Sequence, residues 1–145
     1  MGLDDIRVFA AAADRPLPTP DEVSEPFWSA AREHQLVLQR CARCNRVRYY
    51  PTVRCPHCHG ADAAWEPMSG AGTVYSYSVV HRALAPGFSE RVPLVVVIVD
   101  LDEGVRMMSN VVGCDPDAVT IGMPVRVTWE DVDDAHTLPV FEPRG

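Results

Sequence analysis

The feature that most constrains this chain is a pair of Cys-x-x-Cys motifs, Cys41/Cys44 and Cys55/Cys58, set ten residues apart in the stretch CARCNRVRYYPTVRCPHC. Each Cys-x-x-Cys turn points two sulfurs to one side of a tight knuckle. Two facing knuckles complete the tetrahedral four-thiolate shell that Zn²⁺ accepts. Asn45 after the first pair and Gly60 just past the second tolerate the left-handed backbone that such knuckles use. Between the pairs, segment 46–54 alternates and breaks at Pro51, which predicts a short hairpin carrying the knuckles at one end. Four thiolates leave no open position for water or substrate, so the expected role is a structural staple without chemistry. Ligand type alone also admits iron, but an electron carrier would consist mostly of its site, and here the site is a small insert. Disulfides are disfavoured because no signal peptide precedes the pairs.

At 145 residues and 47% hydrophobic, the chain has material for one ordinary core plus the metal module, which predicts one unit of two small subdomains. The longest apolar run, 92–99, is a strand long and carries Pro93. That is too short to cross a bilayer, and the expectation is a soluble, cytoplasmic protein with no membrane partner. All thirteen basic residues are arginine, and six of them (32, 40, 43, 46, 48, 54) fall between positions 32 and 54 against the single acid Glu33. This stretch has a balance of +5 and leaves −12 for the remainder of a chain whose net charge is −7. An Arg-rich module on an acidic body points the zinc end toward a phosphate or an acidic partner, while the body repels polyanions. The competing reading is a solvated face beside a thiolate-rich site that is itself formally negative.

Residues 1–20 hold Pro16, Pro18 and Pro20 with little periodicity and read as an arm. Thr19-Pro20-Asp21-Glu22 and Ser24-Glu25-Pro26 are helix-start signals, and a helix is expected over 25–34 with Phe27, Ala30, Ala31 and His34 on its inner face. His34 is taken there as a satisfied structural residue. A strand at 36–39 leads into Cys41, and 61–69 is expected to be a connector. From Gly70 the pattern is strands and turns. Residues 72–81 alternate, with Thr73, Tyr75, Tyr77, Val79 and His81 on one face. Residues 94–101 are apolar on both faces and predict a central strand covered on both sides. Glu103-Gly104 turns into a partner strand over 105–112, and another strand opens at Met123-Pro124 with Val125, Val127 and Trp129 on one face. Residues 130–134 read as an acidic turn, 137–141 as a last strand, and Cys114 as a half-buried thiol without a role. Five short antiparallel strands in this span fit a small closed barrel, with the five-stranded OB-fold as the leading candidate. The fold class is therefore mainly β. The expected divisions are an N-terminal arm and helix (1–35), a zinc ribbon (36–64) and an OB-fold barrel (65–145).

Together these residues resemble a known family. Phe27-Trp28, Leu38-Gln39-Arg40-Cys41, the Cys-x-x-Cys, Pro51, Cys55-Pro56-x-Cys58 order, Trp65 followed by Ser69-Gly70-x-Gly72-x-Val74-Tyr75-Ser76-Tyr77, and the runs 110–114 and 121–125 are similar to acyl-CoA-associated proteins that join a rubredoxin-like zinc ribbon to an OB-fold. Two departures are His34-Gln35, where a Gly turn usually follows the helix, and Asn45, where a Gly follows the first knuckle. Neither removes a ligand. The resemblance implies an accessory subunit that binds acyl-CoA and pairs, as a hetero-oligomer, with a thiolase-fold enzyme. Such partners are thiolases, acyltransferases or the lipid-transfer-protein type of retro-aldolase that acts in lipid metabolism on steroid side chains.

The residues themselves agree in one respect, since no Ser-His-Asp or Cys-His arrangement, phosphate-cradling Gly loop or carboxylate pair is legible. Asp100 and Asp102 flank a turn and are expected to be solvated. The rival class, a nucleic-acid-binding ribbon and barrel, is opposed by charge, because the barrel half holds few arginines among a majority of acids. Arg43, Arg46, Arg48 and Arg54, with Tyr49 and Tyr50, are the candidate residues for CoA phosphates or an acidic partner surface.

Overall fold

The computed structural model describes residues 16–83 and 85–145. The expected arm falls mostly outside these residues, and 16–20 carry no regular structure. Helix α1 spans Glu25–Arg32. It is entered through a reciprocal turn in which Ser24 N donates to Asp21 Oδ1 (2.7 Å) and Asp21 N donates to Ser24 Oγ (3.0 Å), and Pro26 sits in the first turn where its missing N–H costs nothing. The helix stops at Arg32, two residues short of the expected end, for a local reason. His34 adopts φ 58°, its N–H donates to Ala31 O, and Gln35 N–H donates to Ala30 O, both at 2.9 Å. This is the crossed pair of bonds of a Schellman end, usually built on Gly. Phe27 and Ala31 are buried and Ala30 half-buried, whereas His34 lies beyond the helix and is exposed. Its ring stacks on Trp129 at 5.6 Å, and Nε2 meets both carboxylate oxygens of Asp131 at 2.9 and 3.1 Å.

The ribbon is a three-stranded antiparallel sheet in the order β2-β1-β3, with β1 Val37–Cys41, β2 Val47–Arg48 and β3 Ala63–Pro67. The hairpin is therefore β1 with β2, wrapped around the first knuckle, and the second knuckle follows a loop. The expected connector at 61–69 contains β3, paired along β1 from Val37↔Pro67 to Cys41↔Ala63. Its burial is irregular, so no alternation marked it.

Five strands close the barrel in the order β4-β5-β6-β8-β7: β4 Ala71–Val80, β5 Leu94–Leu101, β6 Arg106–Val111, β7 Pro124–Asp131 and β8 Thr137–Pro143. The β6/β8 pair is parallel at Val111↔Phe141 and the other pairings are antiparallel, the connectivity of an OB-fold. Its core is Val74, Val95, Val97, Val99, Met107, Val125 and Phe141. Strand β5 is bonded on both edges, but it alternates between buried and half-buried residues and is not covered on both sides, because a closed barrel has one inner face. In β4 a bulge at Tyr75 shifts the register between Val74 and Ser76. Tyr75 and Tyr77 are exposed, and the Arg106 guanidinium lies 3.6 Å from the Tyr75 ring centre.

The acidic turn begins later than 130. Glu130 lies in β7 at 1% exposure and receives Arg91 Nη1 at 2.6 Å, while the turn itself runs over 132–136. With Arg91 also buried, removing either partner strands a charge, so Arg91→Ala or Glu130→Ala is expected to lower stability by about 3–5 kcal/mol in chemical denaturation. Gly72 lies against the backbone of β5. A Cβ there would lie 2.4 Å from Asp100 O and 2.8 Å from Val99 Cγ1. Gly72→Ala is expected to cost more than about 1 kcal/mol, read as a melting temperature several degrees lower, with m unchanged.

Candidate metal centre and the basic ribbon

The Sγ atoms of Cys41, Cys44, Cys55 and Cys58 all lie within 4.8 Å of one another, with Cys41–Cys58 at 3.5 Å and Cys44–Cys55 at 3.6 Å. A tetrahedron with Zn–S of about 2.3 Å has edges of about 3.8 Å, so the donor set fits that ion. The two knuckles are copies of each other. Asn45 N and His59 N donate to Cys41 O and Cys55 O, and Cys41 N and Cys55 N donate to Arg46 O and Gly60 O, all at 2.9–3.0 Å. The left-handed residues are Asn45 (φ 65°) and His59 (φ 66°). At the second knuckle this corrects the expectation, which gave that place to Gly60. Gly60 serves by smallness instead, since a Cβ would sit 3.3 Å from both Cys58 Sγ and Arg43 Cβ.

The knuckles also settle charge. Backbone N–H groups of Cys44 and Arg43 point at Cys41 Sγ at 3.5 and 3.4 Å and pull that thiol down to about 6. At Cys44 the backbone N–H of Arg46 acts downward, but burial and the neighbouring Cys55, Cys41 and Cys58 sulfurs outweigh it and push the thiol up to about 11. Four such groups ionise together only around a cation. Cys114 lies apart from them, half-buried, its thiol raised by burial and by Asp115.

The structure divides the predicted basic residues. Arg43, Arg46 and Arg54 are exposed; Arg46 Nη1 donates to His57 Nδ1 (3.0 Å) and Arg54 Nη1 donates to His59 O (3.0 Å). Arg48 is internal, at 3% exposure, with Nε on Gln39 Oε1 and Nη2 on Thr52 O, both at 3.1 Å. Gln39 Oε1 also receives Thr52 N, so Arg48 and Gln39 brace the loop between β2 and the second knuckle. Tyr49 is half-buried against the core, its hydroxyl pushed up to about 12 by burial and by Tyr50. Tyr50 is exposed and accepts Trp28 Nε1–H at 2.9 Å. Among the described residues, none of Arg43, Arg46, Arg48 and Arg54 has a carboxylate ion pair. In contrast Arg40 pairs with Glu66, and the barrel's Arg91, Arg106 and Arg126 pair with Glu130, Asp100 and Glu142.

Fold and site together define a tetrathiolate ribbon joined to an OB barrel. Residues 28–64 match the model of the ChsH2 rubredoxin-like zinc ribbon domain, and residues 65–130 that of the ChsH2 C-terminal OB-fold domain. The chain is 44% identical over 131 residues to the probable enoyl-CoA hydratase alpha subunit of Thermomonospora curvata, covering 89% of this chain and 40% of that one. It is 38% identical over 117 residues to the 3-oxo-4,17-pregnadiene-20-carboxyl-CoA hydratase alpha subunit of Mycobacterium tuberculosis, covering 81% and 36%. This chain thus spans well under half of either hydratase subunit. A DUF35 domain-containing scaffold protein of Methanocaldococcus jannaschii is 39% identical over 121 residues, covering 79% of this chain and 84% of its own. Among solved structures, the Ltp2-ChsH2(DUF35) aldolase superposes with a TM-score of 0.77 at 42% identity, covering 87% of this chain and 98% of that one. A DUF35 protein from Sulfolobus solfataricus (TM-score 0.60, 13% identity, 85% and 86% coverage) shares the fold. The chain belongs to the ChsH2/DUF35 family.

This is a zinc ribbon, and Cys41, Cys44, Cys55 and Cys58 are the residues that would hold its Zn²⁺; with four thiolates closing the shell, the ion would supply structure. Purified protein is expected to carry about one zinc per chain. Cys55→Ser should lose it and unfold the ribbon, because structural zinc contributes on the order of 10 kcal/mol to such modules. Elemental analysis beside thermal melts checks this, and stoichiometric iron would contradict it.

Proposed function

We propose that this chain is a non-catalytic accessory subunit that binds acyl-CoA thioesters and pairs with a thiolase-fold enzyme in the cytoplasm. The observation that carries the reading is the set of four ribbon arginines with no carboxylate partner among the described residues, on a chain that is otherwise acidic. Three of them present guanidinium groups to solvent, where phosphate or carboxylate from outside completes their pairing. The Ltp2-ChsH2(DUF35) aldolase, whose name couples a chain of this family to a second component, supports the partnership. The family's resemblance to thiolase-associated proteins supplies the partner's class, and degradation of a steroid or other lipid side chain fits a ChsH2-type chain. Catalysis is left to the partner. Asp100 is tied to Arg106, and the described residues bring no nucleophile together with a base.

A second reading pairs the chain with an enoyl-CoA hydratase, favoured by the two hydratase alpha subunits it resembles. Both readings keep a CoA thioester as the substrate class. Nucleic-acid binding is disfavoured by the barrel, where Arg91 is buried against Glu130 and Arg126 is paired with Glu142.

Co-expression with a thiolase-fold or hydratase component encoded nearby, followed by affinity capture, is expected to yield a complex. The isolated chain should show no thiolase, aldolase or thioesterase turnover. Capture that fails with both classes, or robust turnover by the chain alone, would defeat the reading.

A further inference from the structure

The ribbon and the barrel enclose between them a cleft of about 650 Å³. Arg48, Pro56 and His57 form the ribbon wall, and Leu101, Gly104 and Arg106 the barrel wall. We infer that this cleft is an oxyanion site for a phosphate ester, with the Arg48 guanidinium as its fixed cation. Arg48 is a buried charge whose bonded neighbours are the neutral oxygens of Gln39 and Thr52, and its Nη1 has no hydrogen-bond partner. A buried cation without a counter-charge is costly, and a ligand oxygen that reaches Nη1 offsets both deficits. Arg48 is itself one of the residues lining the cleft, so a modest side-chain adjustment of the kind common on binding would bring the unpartnered donor to a ligand there.

The lining holds one carboxylate, Asp100, beside Arg48, Arg106 and His57, and Arg46 lines the adjoining groove. Arg46 donates through Nη1 to His57 Nδ1 at 3.0 Å, and because arginine has only donors, that nitrogen accepts and the imidazole proton sits on Nε2 as a further donor. The nearby acids are already engaged: Asp100 receives Arg106 Nε at 2.7 Å, and Glu103 in the adjoining groove receives Ser69 N at 2.7 Å. A Cβ added at Gly104 would meet nothing within 4 Å, so the rim is open there. Planar donor forks in this density suit a phosphate or diphosphate. The identification of the ligand with the phosphates of an acyl-CoA rests on the functional reading above, while the oxyanion site itself is a property of this chain alone.

The test titrates the zinc-loaded full chain with inorganic pyrophosphate at low ionic strength by calorimetry. Saturable one-to-one binding that weakens with added salt is expected. The pair Arg46→Ala/Arg106→Ala should lower affinity at least roughly tenfold, since each loses a charged hydrogen bond, with an unchanged melting temperature. Arg126→Ala, which removes an exposed arginine paired with Glu142 and outside the cleft lining, should leave affinity within a factor of about two by the same reasoning. Absence of saturable binding, or equal weakening by the pair and by Arg126→Ala, overturns the site. Displacement of pyrophosphate by CoA assigns the ligand to a CoA ester, and displacement by ATP but not CoA rejects that assignment. Because no partner is present, a failure here leaves the accessory-subunit reading standing, and a failed capture leaves this site standing.

Discussion

Four thiolates cannot share a volume a few ångströms across without a cation, and the remainder of the ribbon is arranged around that repulsion. The two knuckles spend their backbone N–H groups on sulfur, and each then turns through a left-handed residue, Asn45 or His59, to return the chain to the sheet. Such residues cost on the order of 1 kcal/mol each outside glycine, and the metal's binding energy exceeds that several-fold. With the knuckles fixed, a two-residue β2 is enough to hold the hairpin, and β3 can close the other edge with little burial of its own.

The two modules handle buried charge in opposite ways. In the barrel, Arg91 and Glu130 are buried and neutralise each other. In the ribbon, Arg48 is buried on neutral oxygens and three further arginines face outward. Positive potential is therefore concentrated on one end of an acidic molecule. That distribution raises the rate at which an anionic group meets that end and lowers it elsewhere.

Much of this was legible because the spacing is set by covalent geometry. The ligand set follows from two Cys-x-x-Cys pairs, and the barrel from alternation in β4 and β7, the apolar run of β5 and the Glu103-Gly104 turn. What the sequence concealed were positions where tertiary packing overrode local pattern. Glu130, in the acidic run 130–134, reads as solvated until Arg91 is brought to it from 39 residues away. Arg48 carries the same residue type as its exposed neighbours, and only the pairing Gln39↔Arg48 shows that it points inward. Strand β3 has no alternating burial, so its pairing with β1 left no periodic trace. Tyr75 and Tyr77, which parity groups with Val79 on one face of β4, are exposed while Val79 packs against the core. His34 occupies a place where glycine is the usual residue, and its backbone shows why the motif survives the exchange: the left-handed turn is kept and the side chain gains the Trp129 and Asp131 contacts.

Those contacts of His34 have a geometric consequence. The end of α1 is fastened to the last pair of barrel strands, while Met68 N bonds Leu36 O where the chain passes from ribbon to barrel. A body gripped at two separated points does not swing about either one. The ribbon is thus carried on the barrel as one arm of a bracket, with its angle set before anything docks. Whatever touches both arms meets a fixed span and does not have to hold a hinge still, so less of the association energy is lost to ordering.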